Sequence, residues 1–223
     1  MGYILDPTWD IVVWILILVL SSSFHEAAHA WVAWKCGDST AKDLGRITLN
    51  PISHICPYNS FLIPAILYFS LGFTFGGAKP VPINPMRMRK PDRDMALASA
   101  AGPLSNFILV IIAVVCLILY KRFFPLMSLK EAYHSSLFVR IVFCTIFLNL
   151  LLGFFNLIPI PPLDGSRILR YLFPFLRDIY NSLDTVGIFL LILILNAFPK
   201  AFSFIQDMIL YSWKFIAFLY KNM

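Results

Sequence analysis

The sequence predicts an all-α membrane protein, a polytopic transmembrane helix bundle with a small re-entrant or β-like segment after the first helix. Three observations lead there. Hydrophobic residues make up 59% of the 223 and charged residues only 13%, and the mean hydropathy is +0.78, a balance outside that of water-soluble domains. Several apolar runs reach the roughly 20 residues needed to cross a hydrocarbon core. The charges that remain gather between those runs, where Lys and Arg set orientation and meet lipid headgroups. A net charge of +6 therefore gives no reason to invoke nucleic acid.

The first run, Asp10 to Trp34, ends at Lys35 and follows MGYILDPTWD, which has two acids and no base. Without a basic leader it is expected to be a retained span and not a removable signal. Cys36 to Ser60 is polar and turn-rich, and the alternation in GRITLNP suggests a short strand pair with a candidate free edge. Phe61 to Phe75 is apolar but short, contains Pro64 and ends at Gly76-Gly77, which predicts a re-entrant segment. Lys79 to Asp94 (KPVPINPMRMRKPDRD) is a basic, proline-rich loop. Met95 to Tyr120, opened by AGPLSN, is a second span, and Lys121 to Tyr133 a short polar connection.

Ser135 to Leu157 is a further span running into NLIPIPPLDGSR, whose prolines stop a regular helix. Leu163 to Asp178 is basic and amphipathic. Val186 to Phe198 and Ala201 to Tyr220 form a last helical hairpin, or one span and an interfacial piece. The chain reads as one domain, 1–223, with a core over 9–178 and C-terminal apolar helices over 183–221. Cys36, Cys56, Cys116 and Cys144 have no zinc-type spacing.

Charge gives a topology. Lys35, Lys42, Arg46, Lys79, Arg87, Arg89, Lys90 and Arg93 all follow the first span, and the positive-inside rule puts both stretches in the cytoplasm. That requires Phe61 to Phe75 to dip and return. The HEAAH box and the LDG turn then approach the same, cytoplasmic face of a multi-pass cell-membrane protein.

Inside the first run lies His25-Glu26-Ala27-Ala28-His29. Two histidines four apart on a helix stand about 40° apart around its axis, so both imidazoles face one side. Zinc takes such a pair, and the intervening glutamate is placed to act as a general base. A catalytic zinc site usually has a third protein ligand. Asp164 is the leading candidate, on a proline-broken turn before Gly165, since an acid beside a span is costly and tends to be functional. His54 and His134 are rivals by chemistry alone. The bland readings are a turn-forming Asp-Gly for Asp164, and helix-bridging hydrogen bonds for Asn106 and Asn156.

The stretches FHEAAHAWVAWKCGD, GRITLNPISHI, AKPVPINP, MALASAAGPLSN and FNLIPIPPLDGSRIL together resemble the site-2 protease family of intramembrane zinc metalloproteases, in its compact prokaryotic form without a PDZ domain. The resemblance runs in the family's order to about Leu169. It implies one zinc per chain held by His25, His29 and Asp164, Glu26 as base, and Asn106 and Asn156 as substrate-positioning or oxyanion-side groups. It also implies substrates that are membrane proteins or signal-peptide remnants, with the oligomeric state open. Cys56, Asn59 and Ser166 stand where the family commonly has Asp, Gly and Gly. Two other classes compete: a transporter or ion pathway relaying protons through intramembrane His, Glu and Asp, and an inactive pseudo-protease that binds client helices. Against the first, no paired repeat is present; against the second, the His-Glu-His triplet is intact.

Overall fold

The computed structural model describes residues 9–55, 79–184, 186–197 and 203–221. It is a helical bundle built around three helices long and apolar enough to cross a membrane. Helix α1 is Trp9–Lys35, 27 residues and so about 40 Å long. It ends in Lys35 and then Gly37, whose φ of +114° turns the chain back on itself. A Cβ at Gly37 would also sit 3.1 Å from the Arg87 carbonyl, so glycine lets the later loop close over the helix end. A single turn, α2 (Thr40–Asp43), follows.

Helix α3 is Pro91–Phe123, with Pro91 in its first turn, Asp92 and Asp94 at its positive end, and Lys121 and Arg122 at its negative end. It starts four residues before the expected span. Gly102 and Pro103 lie inside it instead of opening it, because neighbouring helices in a membrane bundle tolerate an interior proline. The expected polar connection contains a helix of its own, α4 (Leu129–Ser135), closed by a capping box between Ser128 and Glu131. Helix α5 is Leu137–Asn156. After the proline-rich turn come α6 (Asp164–Leu172), a tight turn over Pro174–Leu176, and α7 (Arg177–Asp184). Two apolar helices, α8 (Gly187–Ala197) and α9 (Ser203–Lys221), end the described chain.

Helices α1, α3 and α5 pack on one another, with α3 in contact with both others. Their outward faces carry Val12, Ile15, Leu16, Ile108, Ile111, Ile112, Val115 and Leu119 exposed, which suits acyl chains and not water. One large apolar cluster joins α3, α4 and α5 to α8 and α9 through Leu117, Val139, Ile146, Leu191, Ile209 and Ile216. The Tyr220 hydroxyl reaches the Met127 carbonyl at 3.5 Å, and Lys121 Nζ lies 5.0 Å from the Tyr220 ring. The last turn of α9 therefore stands at the end of the bundle where α3 finishes. That is the end opposite Lys35 and Pro91.

Among the described residues there is no β-strand. GRITLNP, expected to pair as strands, is an irregular loop that enters a 3-10 turn over Pro51–His54. The cause is local: the Asn50 side chain accepts from Ile52 N–H and Pro51 follows it, so turn chemistry overrides alternation. The re-entrant segment expected at Phe61–Phe75, with Cys56 and Asn59, lies outside the described residues. Its described flanks meet, since Lys79 N–H donates to the His54 carbonyl at 2.6 Å.

Candidate metal centre

His25 and His29 project from the second half of α1 and are both buried. Their Nε2 atoms are 2.9 Å apart, and each lies 3.2 Å from Asp164 Oδ2, which enters at the start of α6. Two sites 135 positions apart in the chain thus share one point. The carboxylate is buried and faces the inner edges of both imidazoles.

The protonation of the two rings can be read from their other nitrogens. Asn149 Nδ2 is 2.8 Å from the Thr145 carbonyl, which can only accept, and it also reaches Ser21 Oγ at 2.8 Å. Asn149 therefore presents Oδ1 to Asn106, whose Nδ2 donates to it at 2.8 Å. Asn106 in turn presents Oδ1 to His25, so His25 Nδ1 must carry the proton of that 2.7 Å bond. His29 Nδ1 faces the Ala98 carbonyl at 2.7 Å and must donate too. In their neutral forms both rings then aim an Nε2 lone pair at the same point as the Asp164 carboxyl group.

With both rings neutral, three acceptors meet at 2.9–3.2 Å, and a cation at that point satisfies all of them. Tetrahedral zinc with bonds near 2.0–2.1 Å would separate its ligands by about 3.3 Å, so the donor set fits that ion in kind and in spacing. Small residues make the room. A Cβ on Gly102 would lie 2.5 Å from His29 Nε2 and 2.6 Å from His25 Cε1. Gly102→Ala should therefore displace both rings and leave the purified protein with well under half the zinc of wild type, measured by elemental analysis. At Gly165 a Cβ would lie 2.6 Å from the Ile158 carbonyl, so glycine lets the turn fold tightly enough to deliver Asp164. Ser166 is accommodated: its buried hydroxyl donates to the Leu163 carbonyl at 2.7 Å.

Glu26 is half-buried, with its carboxylate within 4.8 Å of the histidine nitrogens. Its Oε2 accepts from Val81 N–H at 2.8 Å, which holds it beside the centre while Asp164 stands closer to both rings. Val81 sits between Pro80 and Pro82, and prolines on both sides keep the backbone extended. The loop is pinned at both ends. Arg46 Nη2 donates to the Lys79 carbonyl at 2.8 Å, and fully buried Asp38 accepts from Asn84 N–H at 2.6 Å and Thr40 N–H at 3.0 Å.

Of the residues singled out from sequence, His25, Glu26, His29, Asp164 and Asn106 meet here. Asn106 touches the His25 ring and not an open surface. Asn156 donates to the Leu152 carbonyl of its own helix at 3.0 Å. His54 is buried and bonded to the Thr48 carbonyl at 2.9 Å, while His134 is exposed beside Tyr133 on α4. Sequence reading missed Asn149, Ser21, Asp38 and the Val81 amide. Asn149→Leu keeps side-chain volume and frees the Asn106 amide to turn. It should weaken zinc binding about 10-fold or more, read by competition with a chelator of known affinity.

Three helices long and apolar enough to cross a membrane thus carry an HExxH sequence whose histidines meet a distant aspartate, and the comparisons with known proteins give the family. The profile of peptidase family M50 matches residues 13–197, and the chain belongs to that family. A Bacillus subtilis relative named "Putative zinc metalloprotease YwhC" is 42% identical over 160 residues, 72% of this chain and 68% of the relative. A Mycolicibacterium smegmatis relative, "Putative zinc metalloprotease Rip2", is 32% identical over 157 residues, 69% of this chain but only 55% of its own length. One from Methanocaldococcus jannaschii, also named a putative zinc metalloprotease, is 27% identical over 168 residues, 74% of each chain. No solved structure matches the chain.

Proposed function

We propose that this protein is a zinc-dependent intramembrane endopeptidase, hydrolysing peptide bonds in or near the transmembrane segments of membrane-protein substrates. One observation carries the reading: Nε2 of His25, Nε2 of His29 and Oδ2 of Asp164 converge within 3.2 Å, with both rings oriented as donors on their far sides. These three residues would hold the zinc. When bound, zinc supplies Lewis acidity, which acidifies water towards a pKa of ~7 and polarises a carbonyl.

The chain's own groups do the rest. Glu26, held through Oε2 by the Val81 amide, keeps its other oxygen for the proton of the attacking water and delivers that proton to the leaving amine. Asn106 and the Ala98 carbonyl fix the rings in their metal-binding tautomer. A helical peptide bond is shielded by its own hydrogen bonds, so the substrate must unwind before it is cut.

Sidedness follows from charge. The end of the bundle bearing the site carries Lys35, Lys42, Arg46, Arg87, Arg89, Lys90 and Arg93, and we assign it to the cytoplasm. The test is direct. Purified protein should contain one zinc per chain and cut a single-span substrate. Removing zinc with a chelator should stop cleavage, and adding zinc back should restore it. Cleavage that survives full metal removal would refute the reading.

A further inference from the structure

Beside the centre, at the end of the bundle bearing Lys35 and Pro91, lies a cleft of about 580 Å³. Its walls continue the two segments that hold the catalytic groups. Ile83 and Pro85 follow Val81, whose amide grips Glu26, and Pro162 and Ser166 stand two residues either side of Asp164. A peptide leaving the centre between those two segments would therefore meet this cleft. Pro91, Met95 and Tyr171 give it apolar and aromatic surface.

The lining holds two acids and two bases, but the way they pair leaves one base over. Arg170 is paired with Asp184 at 2.8 Å, and Asp92 with Arg177 at 2.7 Å, so both acids of the lining are already committed. Arg167 also lines the cleft and is only partly exposed. Among the described residues it forms no ion pair or hydrogen bond. A partly desolvated guanidinium lacking a counter-charge favours a ligand that brings one.

We propose that this cleft is a substrate subsite in which Arg167 receives a carboxylate, so that the enzyme selects substrates with an Asp or Glu in the polar segment just beyond the scissile region. The inference rests on the protease reading, but binding can be measured without catalysis. The probes are three fluorescent single-span peptides with one transmembrane sequence and a cytoplasmic flank carrying Asp-Glu, Ser-Gln or Lys-Arg. They are titrated in detergent against the full-length Glu26→Gln protein, and their cleavage is measured with the active enzyme.

The acidic peptide should bind about fivefold tighter than the neutral one, and the basic peptide weaker than both. Arg167→Gln should erase the preference while leaving neutral-peptide affinity unchanged, and Arg167→Glu should invert it. Equal affinities for the three peptides, or a parallel loss for all three in both variants, would overturn the subsite. So would Arg167-dependent binding of phosphatidylglycerol with no discrimination among peptides, which would give the cleft to a lipid headgroup. If the acidic peptide binds with the Arg167 dependence but active enzyme cuts none of the three, the protease reading fails and the subsite stands.

Discussion

Glu26→Gln is expected to lower cleavage by about 10²–10⁴-fold while leaving one zinc per chain. The amide is nearly isosteric, and its carbonyl can keep the bond from Val81 N–H that holds Glu26 at 2.8 Å. The ring nitrogens and Asp164 are untouched, so metal content and helix packing persist. What is lost is the ability to take a proton from water and return it to the leaving nitrogen. Zinc analysis beside a cleavage assay reads both quantities. Falling zinc content would move Glu26 from proton transfer into the coordination sphere; undiminished cleavage would remove it from the mechanism.

Asp164→Ala should have an effect as large, by another route. Among the described residues its carboxylate bonds only to the two histidines, so truncation leaves the turn itself held by Gly165 and by Ser166 on the Leu163 carbonyl. Zinc then keeps two protein ligands. Since loss of an outer partner alone typically costs 10–100-fold in affinity, loss of a ligand should cost more than about a hundredfold. The variant should purify with little zinc and without activity, yet keep wild-type helicity by circular dichroism. Asp164→Glu, which keeps the charge on a longer stem, should recover part of the metal. The contrast with Glu26→Gln is diagnostic: one variant is metal-loaded and inactive, the other inactive because it is metal-poor.

How far these features could be read from the chain depends on what kind of signal each leaves. HEAAH is local, with its meaning set by a helix period. Asp164 is distant but conspicuous as an acid on a proline-broken turn beside a span. The three long helices follow from apolar length alone, and their ends were found to within a few residues. Asn149 left no such mark: an amide in an apolar run reads as a helix-bridging group until its partners, Asn106 and Ser21, are placed beside it. The Val81 amide has no residue signature, because any non-proline residue carries one. Asp38 has no distinguishing mark in a polar, turn-rich stretch, and only its burial and its bonds to Asn84 and Thr40 reveal that it sets the loop that holds Glu26. GRITLNP misled because alternation needs a partner strand to become structure, and Asn50-Pro51 supplied a turn instead.

The electrostatics of the centre also explain why two opposing costs coexist inside a bundle. Burying Ser21, His25, His29, Asn106, Asn149 and Asp164 is unfavourable unless each finds a partner. The chain from the Thr145 carbonyl through Asn149 and Asn106 to His25 satisfies the amides and one ring, and the Ala98 carbonyl satisfies the other. Only the inward lone pairs and the carboxylate are left over. Their requirement for a cation is the physical core of the functional reading.

X-ray absorption at the zinc edge tests that requirement most directly. Wild-type protein should show zinc bound by two imidazole nitrogens at about 2.0–2.1 Å and by carboxylate oxygen at about 2.0–2.2 Å, with the carboxylate contribution gone from any metal retained by Asp164→Ala. A coordination shell unaltered by that substitution, or protein that takes up no stoichiometric metal, would contradict it.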